Sequence, residues 1–244
     1  MSAAVPCTVW WTRPRDATDA QLALLSEGER DRYGALRSDD DRARFATARL
    51  IARSAIGHRV GLDPAEVELD ATCPRCGAQH AKPIAGGAAA GLELSISHSG
   101  DRVAVAIAEG AQVGLDVEGQ PALGGGDGRD LWEAVLRPSE QALIARLPEE
   151  LRGEAFLAVW TRKEAILKAT GDGLDVAMTE LEVSPGTAPP RVLSSAGHLP
   201  PAESIALVEL HPGAGYRATL AAITRGPVDV EEADAEVLLV SLAS

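Results

Sequence analysis

Aromatic side chains are scarce in this chain: Trp, Tyr and Phe together make up 3% of 244 residues. Any core must therefore be filled by Ala, Val, Leu and Ile, and the 45% hydrophobic content is enough to fill one. Cysteine is sparse too, and three of them, an odd number, exclude a disulfide framework. Positive charge is outnumbered, 23 Lys and Arg against 36 Asp and Glu, for a formal charge of −13. That balance argues against non-specific binding to nucleic acid or to an anionic membrane, and leaves open a local basic site. No stretch approaches the roughly 18 apolar residues of a membrane span. Met1 to Trp10 lacks the basic start and long apolar run of a signal peptide. The expectation is a cytoplasmic protein with neither nucleic acid nor membrane as a partner.

What is present is an internal echo. Leu25-Ser26-Glu27-Gly28-Glu29-Arg30 resembles Leu136-Arg137-Pro138-Ser139-Glu140-Gln141, and at the same offset Phe45 matches Phe156. Gly100 to Ile107 resembles Gly215 to Ile223, a few residues further apart. The pattern predicts an α+β fold of two pseudo-symmetric halves, 1–120 and 121–244. Each half would be a small antiparallel sheet packed with a long helix, with the site in the cleft between them. A duplicated chain needs no partner to form such a cleft, so a monomer is expected. Gly124-Gly125-Gly126-Asp127-Gly128 reads as a flexible connector, Ser184 to Pro201 as loop, and the tail Val228 to Ser244, acids mixed with a short apolar run, as a last strand. Alternation predicts a three-strand meander. It runs through Leu92, Leu94 and Ile96, then Val103, Val105 and Ile107, then Val113, Leu115 and Val117.

Charges sit where a helix should be apolar. On a helix from Phe156 to Thr170, Phe156, Leu157, Val159, Trp160, Ile166 and Leu167 cover about half the circumference. Lys163 and Glu164 fall inside that arc and Lys168 lies at its edge, one turn beyond Glu164. A charge facing the protein costs several kcal/mol unless it is paired or meets a ligand. The alternative is a snorkelling lysine and a salt-bridged glutamate at a core margin. Asp116 and Glu118 are two apart on a strand and leave one face, where they suit Mg2+; Gly114 on that face would leave room for a ligand. The alternative is the solvated face of an edge strand.

Ser97-His98-Ser99-Gly100 ends a strand in a group of donors that suits an anion, or an ordinary turn. Ser38 to Gly57 reads as a helix that buries Phe45, Ala48, Ala52, Ala55 and Ile56. Arg42, Arg49 and Arg53 share another face and Arg44 points elsewhere; they suit phosphate, or simply solvent. Cys73-Pro74-Arg75-Cys76-Gly77 with His80 looks like one zinc knuckle. A structural zinc needs four ligands, and Cys7, His58 or His80 would have to complete the site. Reduced thiols in a turn are the preferred reading.

The order of these motifs resembles that of the surfactin-type 4'-phosphopantetheinyl transferases over roughly residues 25 to 175. The matching motifs are Lys82-Pro83, Ser95-Ile96-Ser97-His98-Ser99-Gly100 and Val113-Gly114-Leu115-Asp116-Val117-Glu118. Phe156 follows, with Trp160, Lys163-Glu164-Ala165, Lys168, Gly171, Gly173 and Leu174. Ala81 stands where that family usually has Gly, and the cysteine stretch also looks like that of many bacterial relatives.

The resemblance implies a secondary-metabolite type transferase. It would move the 4'-phosphopantetheine arm of coenzyme A to a serine of an apo acyl or peptidyl carrier protein and release adenosine 3',5'-bisphosphate. It further implies Mg2+ held by Asp116, Glu118 and Glu164, with Glu164 also taking the serine proton. Lys163 and Lys168 would offset phosphate charge, and His98, with Ser97, would donate to the pyrophosphate. Arg44, Lys82 and Pro83 would lie along the nucleotide, with Arg49 or Arg53 near its 3'-phosphate. Two other readings stand beside it: a non-catalytic coenzyme A binder of the same fold, and a zinc-knuckle interaction module.

Overall fold

The structure is a computed structural model that describes residues 3–119 and 129–242. The glycine run at 124–128 lies outside the described residues. In chain order the elements are β1 (Val5–Thr12), α1 (Asp19–Ala23), α2 (Glu27–Ala35), α3 (Asp39–Val60), β2 (Leu69–Thr72), β3 (Gln79–Ala85), β4 (Leu92–Ser99), β5 (Arg102–Glu109) and β6 (Val113–Gly119). They continue with α4 (Arg129–Val135), α5 (Pro138–Ala145), α6 (Glu149–Thr170), β7 (Leu181–Val183), β8 (Val192–Ser195), β9 (Ile205–Leu210), β10 (Tyr216–Ile223), β11 (Val228–Asp234) and α7 (Glu236–Val240).

These elements make an α+β fold of two compact units. The α3 unit comprises Cys7–Gly110 and Glu231–Ser244, and the α6 unit comprises Met1–Pro6 and Ala111–Val230. The division therefore differs from the expected halves 1–120 and 121–244. It falls just before β6 rather than after it, and the chain returns to the α3 unit at its end.

In the α3 unit, the sheet order is β11-β1-β5-β4, with β1 antiparallel to β5 and β5 antiparallel to β4. Helix α3 packs on β5 and β4 through Ala48, Ile51, Ala52, Ala55 and Ile56, which meet Leu94, Val103, Val105 and Ile107 in one core. Phe45, expected in that core, is only half-buried. Ser38 starts α3 by accepting from the Asp41 N–H, and Asp39, Asp40 and Asp41 suit the positive end of its dipole. Gly61, at φ 74°, ends the helix in a left-handed turn that disfavours a side chain.

In the α6 unit, the sheet order is β6-β10-β9, all antiparallel. Helix α6 covers β6 and β10 and is buried along most of its circumference from Ala155 to Ala169. Phe156 is fully buried, stacked on Trp132 at 5.6 Å and edge-on to Trp160 at 5.5 Å. Three of the chain's few aromatics thus meet at one point, where full burial of Phe156 contributes about 1.5–3 kcal/mol and the half-buried Trp132 and Trp160 add ring contacts. Two expectations need correction here. The meander stops after β5, because β6 pairs with β10 instead and β1 takes the place beside β5. Both faces of β6 are largely buried, which an edge strand of a half-exposed meander would not allow. The stretch Ser184 to Pro201 is not all loop, since it contains β8, which pairs with β7 just before it. Buried Arg162 holds the connecting turn by donating to the carbonyls of Ser184, Pro185 and Ala188.

The internal echo has a physical counterpart. The offset that aligns Leu25 with Leu136 also aligns Glu29 with Glu140, and both glutamates are buried. Each closes a helix N-terminus: Glu29 accepts from Ser26 N–H at 2.9 Å, and Glu140 from Arg137 N–H at 2.8 Å. Each also takes a buried cation from the long helix of its own unit, Arg53 at 2.6 Å for Glu29 and Lys163 at 2.5 Å for Glu140.

Candidate active site

Strand β6 and helix α6 supply the acidic centre. Gly114 lets them touch. A Cβ at this position would lie 2.0 Å from the Ala165 carbonyl oxygen and 2.3 Å from the Ala169 nitrogen. The space expected to be left for a ligand at Gly114 is therefore filled by the helix backbone. The glycine serves close strand–helix approach instead. That approach brings the last turns of α6 over the strand face that carries Asp116 and Glu118.

Lys168 Nζ lies 2.6 Å from Asp116 Oδ1, with Asp116 only 2% exposed and Lys168 half-buried. Glu164, one turn before Lys168 and half-buried, has its carboxyl pushed above the usual glutamate range. Burial is the larger cause, the charge of Asp116 adds to it, and Lys168 opposes both. Glu118 is half-buried and stands opposite Arg217 in the β6–β10 register, while the Arg217 guanidinium pairs with Glu154. Thr219, opposite Asp116, shares a buried hydrogen bond of 3.1 Å with Thr161 of α6, which fixes helix to sheet beneath the charged groups.

The donor set of Asp116, Glu118 and Glu164 fits a hard divalent cation. All three offer carboxylate oxygens, and the mutual repulsion of Asp116 and Glu164 is what a cation relieves. Their donor atoms are not drawn together in a tight cluster: among the described residues, the group that meets within 4.8 Å is Cys73, Cys76 and His80.

Lys163 does not belong to this centre. It is fully buried, donates to Glu140 and to the Val135 carbonyl at 2.7 Å, and lies on the side of α6 that packs against α5. Burial lowers its affinity for a proton, and Glu140 offsets that only in part. Its expected contact with coenzyme A is withdrawn, because a cation already held by two buried acceptors cannot also reach a phosphate without repacking. Glu140 was not singled out from the sequence as a partner. Through Oε1 it also accepts from Val183 N–H at 2.9 Å, so it ties α5, α6 and β7 together.

In the α3 unit, Arg53 is corrected for the same reason, and Arg49 because it is buried beside Glu29. Arg53 is 2% exposed and donates to Glu29 and to the carbonyls of Val67 and Pro64. Arg49 is buried beside Glu29 at 3.6 Å and over the Phe45 ring at 5.2 Å, and burial depresses its pKa. Neither presents its charge to a nucleotide. The other expected anion contacts lie nearer solvent. His98 is exposed near the end of β4, with Ser97 buried before it. Arg44 donates to the Gly100 carbonyl at 3.1 Å and pairs with Asp41 at 2.8 Å. That hydrogen bond holds the Asp41 carboxyl below the usual range, with His98 close enough to add to the effect. Lys82 pairs with Glu93 at 3.2 Å, beside buried Pro83.

The chain matches known proteins over the same elements. The family model described as the 4'-phosphopantetheinyl transferase superfamily matches residues 112–221, from β6 to β10. The 4'-phosphopantetheinyl transferase HetI of Nostoc sp. is 34% identical over 193 residues, which cover 76% of this chain and 77% of that protein. The chain belongs to the 4'-phosphopantetheinyl transferase family. It is an enzyme of that family, a transferase. The 4'-phosphopantetheinyl transferase of Bacillus subtilis is 25% identical over 179 residues, covering 72% of this chain and 74% of that one. A crystal structure of the Thermotoga maritima holo-acyl-carrier-protein synthase matches with a TM-score of 0.39 at 20% identity, covering 48% of this chain and 65% of that one. No helix among the described residues is long and apolar enough to cross a membrane. Of the sequence-derived phosphopantetheinyl transferase residues, the structure brings Asp116, Glu164 and Lys168 together, with Glu118 two residues beyond Asp116 on the same strand. It removes Lys163, Arg49 and Arg53 to buried ion pairs.

Proposed function

We propose that this chain transfers the 4'-phosphopantetheine arm of coenzyme A to a serine of an apo acyl or peptidyl carrier protein, in the manner of the surfactin-type enzymes. The observation that carries this reading is the acidic surface of Asp116, Glu118 and Glu164 with Lys168 2.6 Å from Asp116. The serine oxygen attacks the phosphorus that bears the pantetheine arm. A new P–O bond forms to serine, the pyrophosphate P–O bond breaks, and adenosine 3',5'-bisphosphate leaves. Glu164 takes the serine proton; its raised proton affinity suits that role. Lys168 offsets phosphate charge, shared at rest with Asp116. Asp116, Glu118 and Glu164 would hold Mg2+, which when bound neutralises pyrophosphate charge. His98 and Ser97 are assigned to the pyrophosphate, and Arg44, Lys82 and Pro83 to the nucleotide. The net charge of −13 gives no steering toward an acidic carrier, so docking rests on apolar contact.

Incubation with coenzyme A, Mg2+ and a panel of apo carriers, read by intact mass, tests the reading. A carrier mass raised by one phosphopantetheine, lost when its acceptor serine is replaced, supports it. Coenzyme A binding with no carrier modified would favour the non-catalytic binder.

A further inference from the structure

We infer that Cys73, Cys76 and His80 form a second metal site, separate from the acidic centre, that takes Zn2+ and clasps the β2–β3 hairpin. The donor atoms of these three side chains all lie within 4.8 Å of one another, and Cys76 Sγ is 3.0 Å from His80 Nε2. Zinc bonds of about 2.3 Å to sulfur and about 2.0 Å to nitrogen, at a tetrahedral angle, set a sulfur–nitrogen separation of about 3.6 Å. A shift of roughly half an ångström therefore admits the ion.

The backbone is already shaped around the first sulfur. The N–H groups of Arg75 and Cys76 donate to Cys73 Sγ, as they would to a bound thiolate. Gly77 N–H donates to the Cys73 carbonyl at 2.8 Å, and Cys73 N–H to the Ala78 carbonyl at 2.8 Å. Gly77, at φ 73°, makes the left-handed turn that brings the chain back so that His80, in β3, meets Cys76. Cys73 is buried, while Cys76 and His80 are exposed, so an ion can enter and its fourth position faces solvent. The sequence favoured free thiols and left any further ligand open among Cys7, His58 and His80; geometry brings in His80 as the third ligand and leaves the fourth position to water. Two sulfurs and an imidazole suit zinc and not the oxygen-seeking Mg2+. Binding displaces the two thiol protons. β3 continues from this turn into Lys82 and Pro83, so the clasp fixes the segment that the proposed nucleotide contacts occupy.

The test uses the full chain, purified reduced and dialysed. Zinc is counted, Co2+ is exchanged in for its thiolate charge-transfer band, and alkylation of the thiols is timed with and without Zn2+. The inference predicts about one zinc per chain, a cobalt band lost in Cys76→Ser, and slowed alkylation of Cys73 and Cys76 when zinc is present. His80→Ala should weaken zinc binding at least about tenfold. Alkylation at the same rate with and without Zn2+ in the unmutated chain would overturn the inference, and so would zinc affinity unchanged in His80→Ala. None of these readouts depends on transferase activity, so they stand or fall apart from the proposed function.

Discussion

Gly114→Ala separates two accounts of one residue. The structure puts the added Cβ 2.0 Å from the Ala165 oxygen, 2.3 Å from the Ala169 nitrogen and 2.8 Å from the Lys168 carbonyl carbon. All three are backbone atoms of α6, so no side chain can swing aside. Ordinary contact begins near 3.4 Å, and helix and strand must part by about 1.4 Å. Overpacking of this kind costs about 1–3 kcal/mol, and the rigid neighbours place this case near the upper end. For a chain of this size, about 3 kcal/mol lowers the melting temperature by roughly 6–12 °C. The displaced stretch of helix carries Glu164 and Lys168, so transfer should fall as well, by ten- to a hundredfold for a misplacement on the order of 1 Å. Thermal unfolding by fluorescence and transfer rate by carrier mass measure both. If Gly114 instead leaves room for a ligand, Gly114→Ala would weaken coenzyme A binding and keep the melting temperature. That result, or a variant unchanged in both respects, would refute the packing argument.

The other predictions concern charges. Asp116→Ala and Glu118→Ala should each lower the transfer rate on the order of a thousandfold without unfolding the protein, as rate assays and circular dichroism will show. Glu164→Gln should depress the maximal rate far more than calorimetric coenzyme A affinity, whereas Lys168→Ala should reduce both, because phosphate charge is present before and during transfer. Glu140→Gln should destabilise the fold by about 3–5 kcal/mol in denaturant titration, since Lys163 would be left buried without its counter-charge. A joint change to Glu140→Gln and Lys163→Met should recover much of that loss, because it removes the buried charge and keeps an acceptor beside the Val183 and Arg137 N–H groups. The raised carboxyl of Glu164 fixes the sign of a pH effect. As a proton acceptor Glu164 works ionised, so the rate at limiting Mg2+ should fall as pH drops through a value above the usual glutamate range. Lys168→Ala should move that fall to higher pH. For stability the sign is opposite: this group's contribution is present below its unfolded pKa and lost as pH rises through the folded one.

Much of the site was legible because its residues break a pattern. Asp116 and Glu118 interrupt an apolar strand, and Glu164 and Lys168 interrupt an apolar helix face; Asp116, Glu164 and Lys168 are neighbours in the structure, with Glu118 two residues further along the strand. Lys163 interrupts the same helix, yet its solution is a buried partner more than twenty residues away in sequence. Periodicity says that a charge points inward, not what meets it. The clue was in the echo: Glu29 and Glu140 align, and each follows the spacing by which a glutamate closes the start of its helix. Arg49 and Arg53 were placed on a polar face because their spacing is helical, but Glu29 folds that face into the interior. The strand pairing of β6 could not be read locally. Val113 to Glu118 alternates as the strands before it do, and only contact with β10, about a hundred residues later, decides its sheet.

The central claim is that transfer runs at the acidic surface of β6 and α6 with a divalent cation. The most direct measurement is the single-turnover transfer rate to one apo carrier across a Mg2+ titration, for the unmutated chain and for Asp116→Asn. The account predicts no transfer in excess chelator, a saturable rise with Mg2+, and an Asp116→Asn rate that stays down on the order of a thousandfold at any Mg2+ concentration. Full transfer in excess chelator, or an Asp116→Asn rate matching the unmutated chain, would contradict it.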